Sequence, residues 1–528
     1  MAQLAPSLPG VRFEVRAPAT EVSPLRTDIA GFIGPTWRGP VGEVVRVEGW
    51  RQYQSLFGEL TEFADTPYAV RGYFENGGEI AYVVRLLAEP YACAEGIWEV
   101  GKVDLATNTW DPGAPAGGGF EAASFRITAT SPGVWANGIR VFFEYRSRGP
   151  NRRPEVDVEV RPLRGPAEYL IGLPADRLIE EVAERSRLIR LSIDKPAPAG
   201  SVGAGPLVKV WTPPVTLANG AETPASHEDY VLAAELLAGE REVALMTAPD
   251  LATLPAAPEQ RDHVLGVLVS LAEERHDRQV IAEAPADFTE AAAILAWLRE
   301  RRVALDEYFP RSLALYHPRL WVPDPLGGVV EPLRDVSPLG HVAGVISRLD
   351  RERGAHHTPA NAPLFEAVDL VRSHDPAELG ALALGGVNLI RCTPGYGLVV
   401  WGGRTAFDTR LGNSGLFIAH RRLIHRLIRA IRRIAEPLVF EVNGPDLWLI
   451  IARAITSVLL EAWQAGALKG DIPEQAFLVR CDETTNPPEN EDLGQVLCEV
   501  YVAPAVPMEF ITLRIAISRE GRLEAIET

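Results

Sequence analysis

The chain has 528 residues, 47% hydrophobic and 23% charged, enough globular material for several cores and unlike a disordered or fibrous polymer. Its 70 acidic and 52 basic residues leave a net charge of −18, which opposes the basic footprint of a general nucleic-acid binder. No uncharged apolar run reaches the ~18 residues of a spanning helix: Arg453 interrupts the richest stretch, Leu447 to Leu460, and the first residues carry no basic or apolar leader, so no direct membrane insertion is expected. Only Lys102, Lys195, Lys209 and Lys469 are lysines, and the other 48 bases are arginines, whose forks match carboxylates; a GC-rich coding genome produces the same bias. Cys93, Cys392, Cys481 and Cys498 form no CxxC pair, which points to reduced thiols and a cytosolic setting.

In chain order, Pro6, Pro9, Gly10 and Pro18 surround one alternating run containing Val11, Phe13 and Val15, predicting an extended arm over residues 1–20. Residues 21–100 read as the first part of a core, with strands at Ile29–Ile33 and Ala81–Leu86 and a helix near Pro67–Asn76. The flexible stretch Asp111–Gly119 lies early in a β-rich insertion, 101–227. Its strands announce themselves by period-2 alternation at Phe125, Ile127 and Ala129, at Ile139, Val141, Phe143 and Tyr145, and at Val156, Val158 and Val160. A helix is expected from Ala175 to Ile189, and Pro196–Pro206 is a second linker.

Residues 228–384 alternate strand and helix: Val243–Thr247, His263–Glu274, Gln279–Ala282, Phe288–Arg301 and Ser312–Tyr316, with Asp287 and Glu290 as a capping-box start for the second helix. That βαβαβ order implies a parallel or mixed sheet. Residues 385–528 hold a hairpin around Pro394–Gly397, long helices at Ser414–Ala435 and Asp446–Ala465, and strands at Ala476–Cys481, Val496–Val502 and Glu509–Ile517. The expected fold is α+β and multidomain: a mixed α/β core, a β-rich insertion and extended arms at both ends.

Motifs of chemistry are scarce. There is no P-loop and no dinucleotide fingerprint after a strand. His341, His356 and His357 lack the spacing of a metal set, and Ser414 suits a helix N-cap better than a nucleophile elbow. Asp482, Glu483, Glu489, Glu491 and Asp492 surround a Thr-Thr-Asn-Pro-Pro stretch, readable as a cation or acid/base site or as a rigid polar turn. No cofactor is implied. Between Ser414 and Ala435 lie Arg421, Arg422, Arg426, Arg429, Arg432 and Arg433 with no acid, while Ile424, Leu427, Ile428, Ile431 and Ile434 form an apolar face. Such a helix needs a partner for its charge, either acids of this chain or an acidic surface of another molecule. Val342, Ile346 and Leu349 predict a helix that Gly354 can terminate, with the string Asp350, Arg351, Glu352 and Arg353 at its end.

Several strings resemble the contractile tail sheath family of phage tails, R-type pyocins and extracellular contractile injection systems. They are Pro9-Gly10-Val11, Thr27 to Gly34 with Gly39-Pro40, Ala69 to Gly78, Ala81 to Arg85, Ser131 to Val141, Ser337 to Gly344, Asp350 to Gly354 and Pro359 to Asn361, followed by Trp401 to Thr405, Phe440 to Asn443, Cys481 to Pro488 and Pro507 to Phe510. The resemblance implies a non-enzymatic protomer that stacks with itself in hexameric layers around an inner tube protein and contracts to drive the tube into a target envelope. It further implies baseplate and terminator or cap proteins as partners, with sheath paralogues as further ones, and cytoplasmic assembly into a particle that is released or membrane-anchored. Its terminal arms add strands to neighbouring subunits, a role that Val11, Phe13 and Val15 and the alternating Ile511, Leu513 and Ile515 suit. Arg422, Arg426, Arg429 and Arg433 are then candidates to face the tube, and Asp350 to Gly354 is a structural motif. Two other readings stay open: a baseplate or terminator component with a sheath-like domain, and an enzyme with a small-molecule site at the strand ends Thr247–Pro249 and Glu283–Pro285.

Overall fold

The computed structural model describes residues 26–100, 102–104, 109–111, 122–146, 155–196, 214–304, 309–330, 332–407, 415–438, 441–487, 496–505, 513–517 and 523–527. Val11, Phe13, Val15, Ser414 and Ile511 lie outside these residues, and of Leu513 and Ile515 only the backbone is described.

Alternation within short strands sends neighbouring side chains to opposite faces, and here both faces are apolar. Ile33, Met246, Leu313 and Leu315 pack into one cluster, beneath the helices His227–Gly239, Pro258–Arg275, Ala291–Ala304 and Pro376–Leu384. Phe32, Leu245, Ala314 and Tyr316 pack into another, beneath Trp50–Phe57, Thr66–Glu75 and Leu339–Arg353. Among the described residues the sheet between them has nine strands. Their order is Val44–Val47, Ala81–Arg85, Ala30–Gly34, Leu245–Thr247, Gln279–Ala282, Leu313–His317, Val387–Thr393, Gly397–Trp401 and Ala362–Pro363. The run from Ala81–Arg85 to Val387–Thr393 is parallel, as the βαβαβ pattern requires, and the outer strands are antiparallel.

On the second face, Thr66–Glu75 and Leu339–Arg353 cross at backbone contact. A Cβ on Gly340 would collide with the backbone of Ala69, and one on Gly344 with that of Tyr73, so no larger residue fits at either crossing point. Gly72 makes room for the His341 ring in the same way.

The insertion has its own core, in which Trp98 stacks on Phe143 with ring centroids 3.9 Å apart. Its sheets comprise Glu168–Pro174, Glu155–Arg161, Arg140–Arg146 and Val215–Thr216, and then Ile189–Pro196, Ala122–Ala129 and Glu95–Glu99. Three expectations change. Glu95–Glu99 pairs with Ala122–Ala129, and Ala88–Ala92 pairs with Ala221–Thr223, so the insertion starts near residue 88 and not 101. The helix expected over Ala175–Ile189 spans only Leu178–Arg185; Ile189, Leu191 and Ile193 alternate as a strand. Asp287 does not cap the helix that begins at Ala291; its carboxylate accepts from Arg261 instead.

Beyond the sheet, the helices Ile418–Ala435 and Pro445–Gln464 pack through Leu423, Leu427, Ile455 and Leu459. The hairpin of Phe477–Arg480 and Glu499–Val502 joins this small core through Phe477, Val479, Val500 and Val502. The hairpin Val387–Thr393/Gly397–Trp401 belongs to the central sheet, which moves the start of the C-terminal unit from 385 to beyond residue 401. Among the described residues no helix is long and apolar enough to cross a membrane.

Candidate functional site: an arginine helix across the amino end of the sheet

The helix Ile418–Ala435 lies where the parallel strands begin. Arg26 to Asp28 precede Ala30–Gly34, Glu242 and Val243 precede Leu245–Thr247, Asp277 and Arg278 precede Gln279–Ala282, and Arg311 and Ser312 precede Leu313–His317. Arginines of the helix reach into each of these entrances.

Arg422 is 4% exposed and donates to the Asp350 carboxylate at 2.6 Å and to the Thr27 carbonyl at 3.0 Å. Asp350 also accepts from the Thr27 hydroxyl at 2.6 Å, so one carboxylate holds the helix, the Leu339–Arg353 helix and the chain before the first core strand. Arg429 is fully buried and donates to four carbonyls: Asp277 at 2.9 Å, Arg26 at 2.9 Å, Glu242 at 3.1 Å, and Val243. Asp277 in turn accepts from Arg278 at 2.9 Å and from Arg432 at 2.6 Å. At the last entrance Glu273 accepts from Arg311 at 2.7 Å and from Ser312, with Arg421 3.9 Å away. Burial lowers the Arg421 and Arg429 guanidinium groups to about 10, and burial among the four arginines Arg421, Arg422, Arg429 and Arg278 pushes His425 well down, so the imidazole is neutral.

This geometry changes the assignment of the four tube-facing candidates. Arg422 and Arg429 point into the protein and are spent on it. Arg426 is half-buried and Arg433 exposed, and neither has an ion pair among the described residues. Apolar periodicity does not separate these pairs, because the helix is buried on two sides, against its own small core and against the sheet end.

The Asp350 to Gly354 string also divides. Asp350 is the buried anchor described above. Arg351 donates to the Gly77 carbonyl and pairs with Glu79 and, at 3.5 Å, with Asp28. Glu352 and Arg353 are exposed, and Gly354 ends the helix at a φ of 96°, where glycine is favoured. Of the acidic stretch, Glu489, Glu491 and Asp492 lie outside the described residues; Asp482 opens a turn, accepting from Thr484 Oγ1 and from Thr484 N at 2.8 Å, which hold its carboxyl below the usual range, and the Asn486 side chain brackets Leu497. His341 is buried against Gly72, whereas the His356 and His357 rings lie 4.3 Å apart, tilted by 51°; among the described residues no group of His, Cys, Asp or Glu is placed to hold a metal ion.

At the opposite, carboxyl end of the sheet lies a network that the motif search missed. Arg319 donates to Asp65 at 2.6 Å, Asp335 at 2.6 Å and Glu283 at 3.0 Å. Burial raises Glu283 to about 7 against the pull of Arg319. Asp250 accepts from Asp65 N at 2.5 Å, and from Thr66 N at 3.0 Å and Oγ1 at 2.5 Å, at the start of the Thr66–Glu75 helix. Glu283, the one base candidate of the enzyme reading, is therefore engaged in an ion pair.

Two family models match: the phage tail sheath protein central domain over residues 223–406 and the phage tail sheath C-terminal domain over 412–518, together just over half of the chain. The tail sheath protein of Vibrio phage KVP40 is 33% identical over 181 residues, an alignment that covers 33% of this chain and 25% of that protein. The chain thus spans about a quarter of the length of that relative. Among solved structures, the anti-feeding prophage helical sheath in its contracted state aligns with a TM-score of 0.56 at 21% identity, covering 97% of this chain and all (100%) of the other. The contracted sheath complex of the extracellular contractile injection system PVC gives 0.57 at 18%, covering 98% and 100%. A sheath tail protein from Listeria innocua gives 0.59 at 11%, covering 91% and 95%. With both sheath domains matched in order, and a fold shared along nearly its whole length, the chain belongs to the phage tail sheath family.

Proposed function

We propose that the chain is the sheath protomer of a contractile tail or injection machine, polymerising with itself in stacked rings around an inner tube and contracting to drive that tube through a target envelope. The observation that carries this reading is the buried arginine joint. It clamps the C-terminal unit and the chain at Arg26–Asp28 onto one end of the sheet, a single base for both. Strand-donating arms at residues 1–20 and beyond 505 would pull on that base, and buried ion pairs suit a joint that must transmit load without slipping. The hairpin Leu513–Ile517/Leu523–Glu527 pairs only with itself among the described residues, which leaves backbone edges for a neighbouring copy. The engaged state of Glu283 favours a structural over an enzymatic role. Arg426 and Arg433 are the arginines that remain for the tube.

Co-expression with a candidate tube protein, followed by negative-stain microscopy, tests the reading. Extended, tube-filled sheaths are expected, and deletion of Met1 to Val15 should leave a folded protomer that builds none. A wild-type chain that stays monomeric with its tube, or caps tubes without covering them, would refute the sheath assignment.

A further inference from the structure

The carboxyl end of the sheet holds two environments. Over Gln279–Ala282 and Leu313–His317 it is closed by Arg319 and its three carboxylates. At Ala30–Gly34 the winding reverses: the next parallel strand along the chain, Ala81–Arg85, lies on one side and Leu245–Thr247 on the other. Reversal of this kind opens a crevice beyond the strand ends, where α/β sheets bind small ligands. Here the crevice is a cavity of about 330 Å³. That lies in the range of ~300–1,000 Å³ for small-molecule pockets.

Its walls are mostly apolar, with Leu86, Leu87 and Leu254 inside and Phe63, 56% exposed, at the rim. One polar group on it is unsatisfied and one is only loosely paired. Tyr230 is 1% exposed and its hydroxyl has no hydrogen-bond partner. Glu222 has a side chain 23% exposed, and the nearest guanidinium nitrogen, on Arg85, is 4.0 Å away. Arg85 spends its other terminal nitrogen on the Gly39 and Pro132 carbonyls. The third acid on the wall, Asp250, is occupied by its three donors, and no basic residue lines the cavity. Apolar walls with one under-paired carboxylate select an apolar body that carries one positive charge.

We propose that this cavity binds a small apolar amine, its ring against the leucines and its ammonium on Glu222. A hydrogen-bond acceptor on the ring would satisfy the Tyr230 hydroxyl. Glu222 lies on Ala221–Thr223, which pairs with Ala88–Ala92 where the insertion leaves the core, so the bound amine ties the root of the insertion to the sheet.

Phenethylamine is the probe, with 3-phenylpropionate as the same ring of opposite charge. Saturation-transfer NMR and melting of the full chain should show binding and a raised Tm with the amine and neither with the acid. Glu222→Gln should weaken the amine at least tenfold, and Leu87→Trp, which fills the cavity, should abolish binding. If Leu87→Trp fails to fold, Thr253→Trp at the exposed rim serves the same purpose. Equal binding of both probes, unchanged affinity in Glu222→Gln and the filled variant, or no binding of the amine at millimolar concentration would each overturn the site. None of these results bears on sheath assembly.

Discussion

Replacing Asp350 by alanine removes the carboxylate that receives Arg422 and the Thr27 hydroxyl, each at 2.6 Å. Both charged side chains of the pair are 4% exposed, so the stranded guanidinium keeps only the Thr27 carbonyl and gains little from water. Breaking a buried pair from one side costs about 3–5 kcal/mol, whereas removing both partners is often nearly neutral. Asp350→Ala should therefore destabilise by about that amount, and Asp350→Leu combined with Arg422→Met should regain most of it. Urea unfolding reports the loss as an earlier first transition, since a chain with several cores need not unfold in one step. Hydrogen exchange localises it: amides of Ile418–Ala435 and Ile29–Ile33 should lose protection together, because one carboxylate holds both. If Asp350→Ala unfolds like the wild type, or the double variant is no better than the single one, the buried pair is not what holds the joint.

Three further outcomes follow from the geometry. Arg422→Glu with Arg429→Glu should prevent folding of the C-terminal unit, whereas Arg426→Glu with Arg433→Glu should leave the melting curve within roughly 1 kcal/mol of wild type and weaken assembly on the tube more at low salt than at high. Gly340→Leu drives a side chain into the Ala69 backbone and should cost at least ~1–3 kcal/mol, measured by urea midpoint. Burial, with Arg71 nearby, holds the His341 imidazole down at about 4. The unfolded chain takes up that proton first, near ~6.5, so stability should fall as pH drops from there towards 4, by up to roughly 3 kcal/mol from this group. His317, also held near 4 by burial and His374, adds to the same slope, and a His341→Gln variant should show a shallower one than wild type.

Period-2 and helical patterns were enough to place most strands of the central sheet and the long helices, because alternation reports burial directly, but not where the insertion begins or that Val387–Thr393 joins the parallel run. They were weakest where two signals overlap, as at Ile189 to Ile193, where a helix gives way to a strand after three residues. The arginines of Ile418–Ala435 were legible as an unbalanced charge needing a partner, and Gly354 as a stop. Which arginine meets which partner was not legible. Thr27, Asp277 and Asp350 are separated from the helix by roughly 70 to 400 residues of chain, and only the sheet brings their strand entrances to one edge. Carbonyl acceptors such as those around Arg429 leave no trace in a sequence, since every residue carries one. Composition decided that the charge had to be neutralised; the order of the parallel strands decided that the sheet itself would do it.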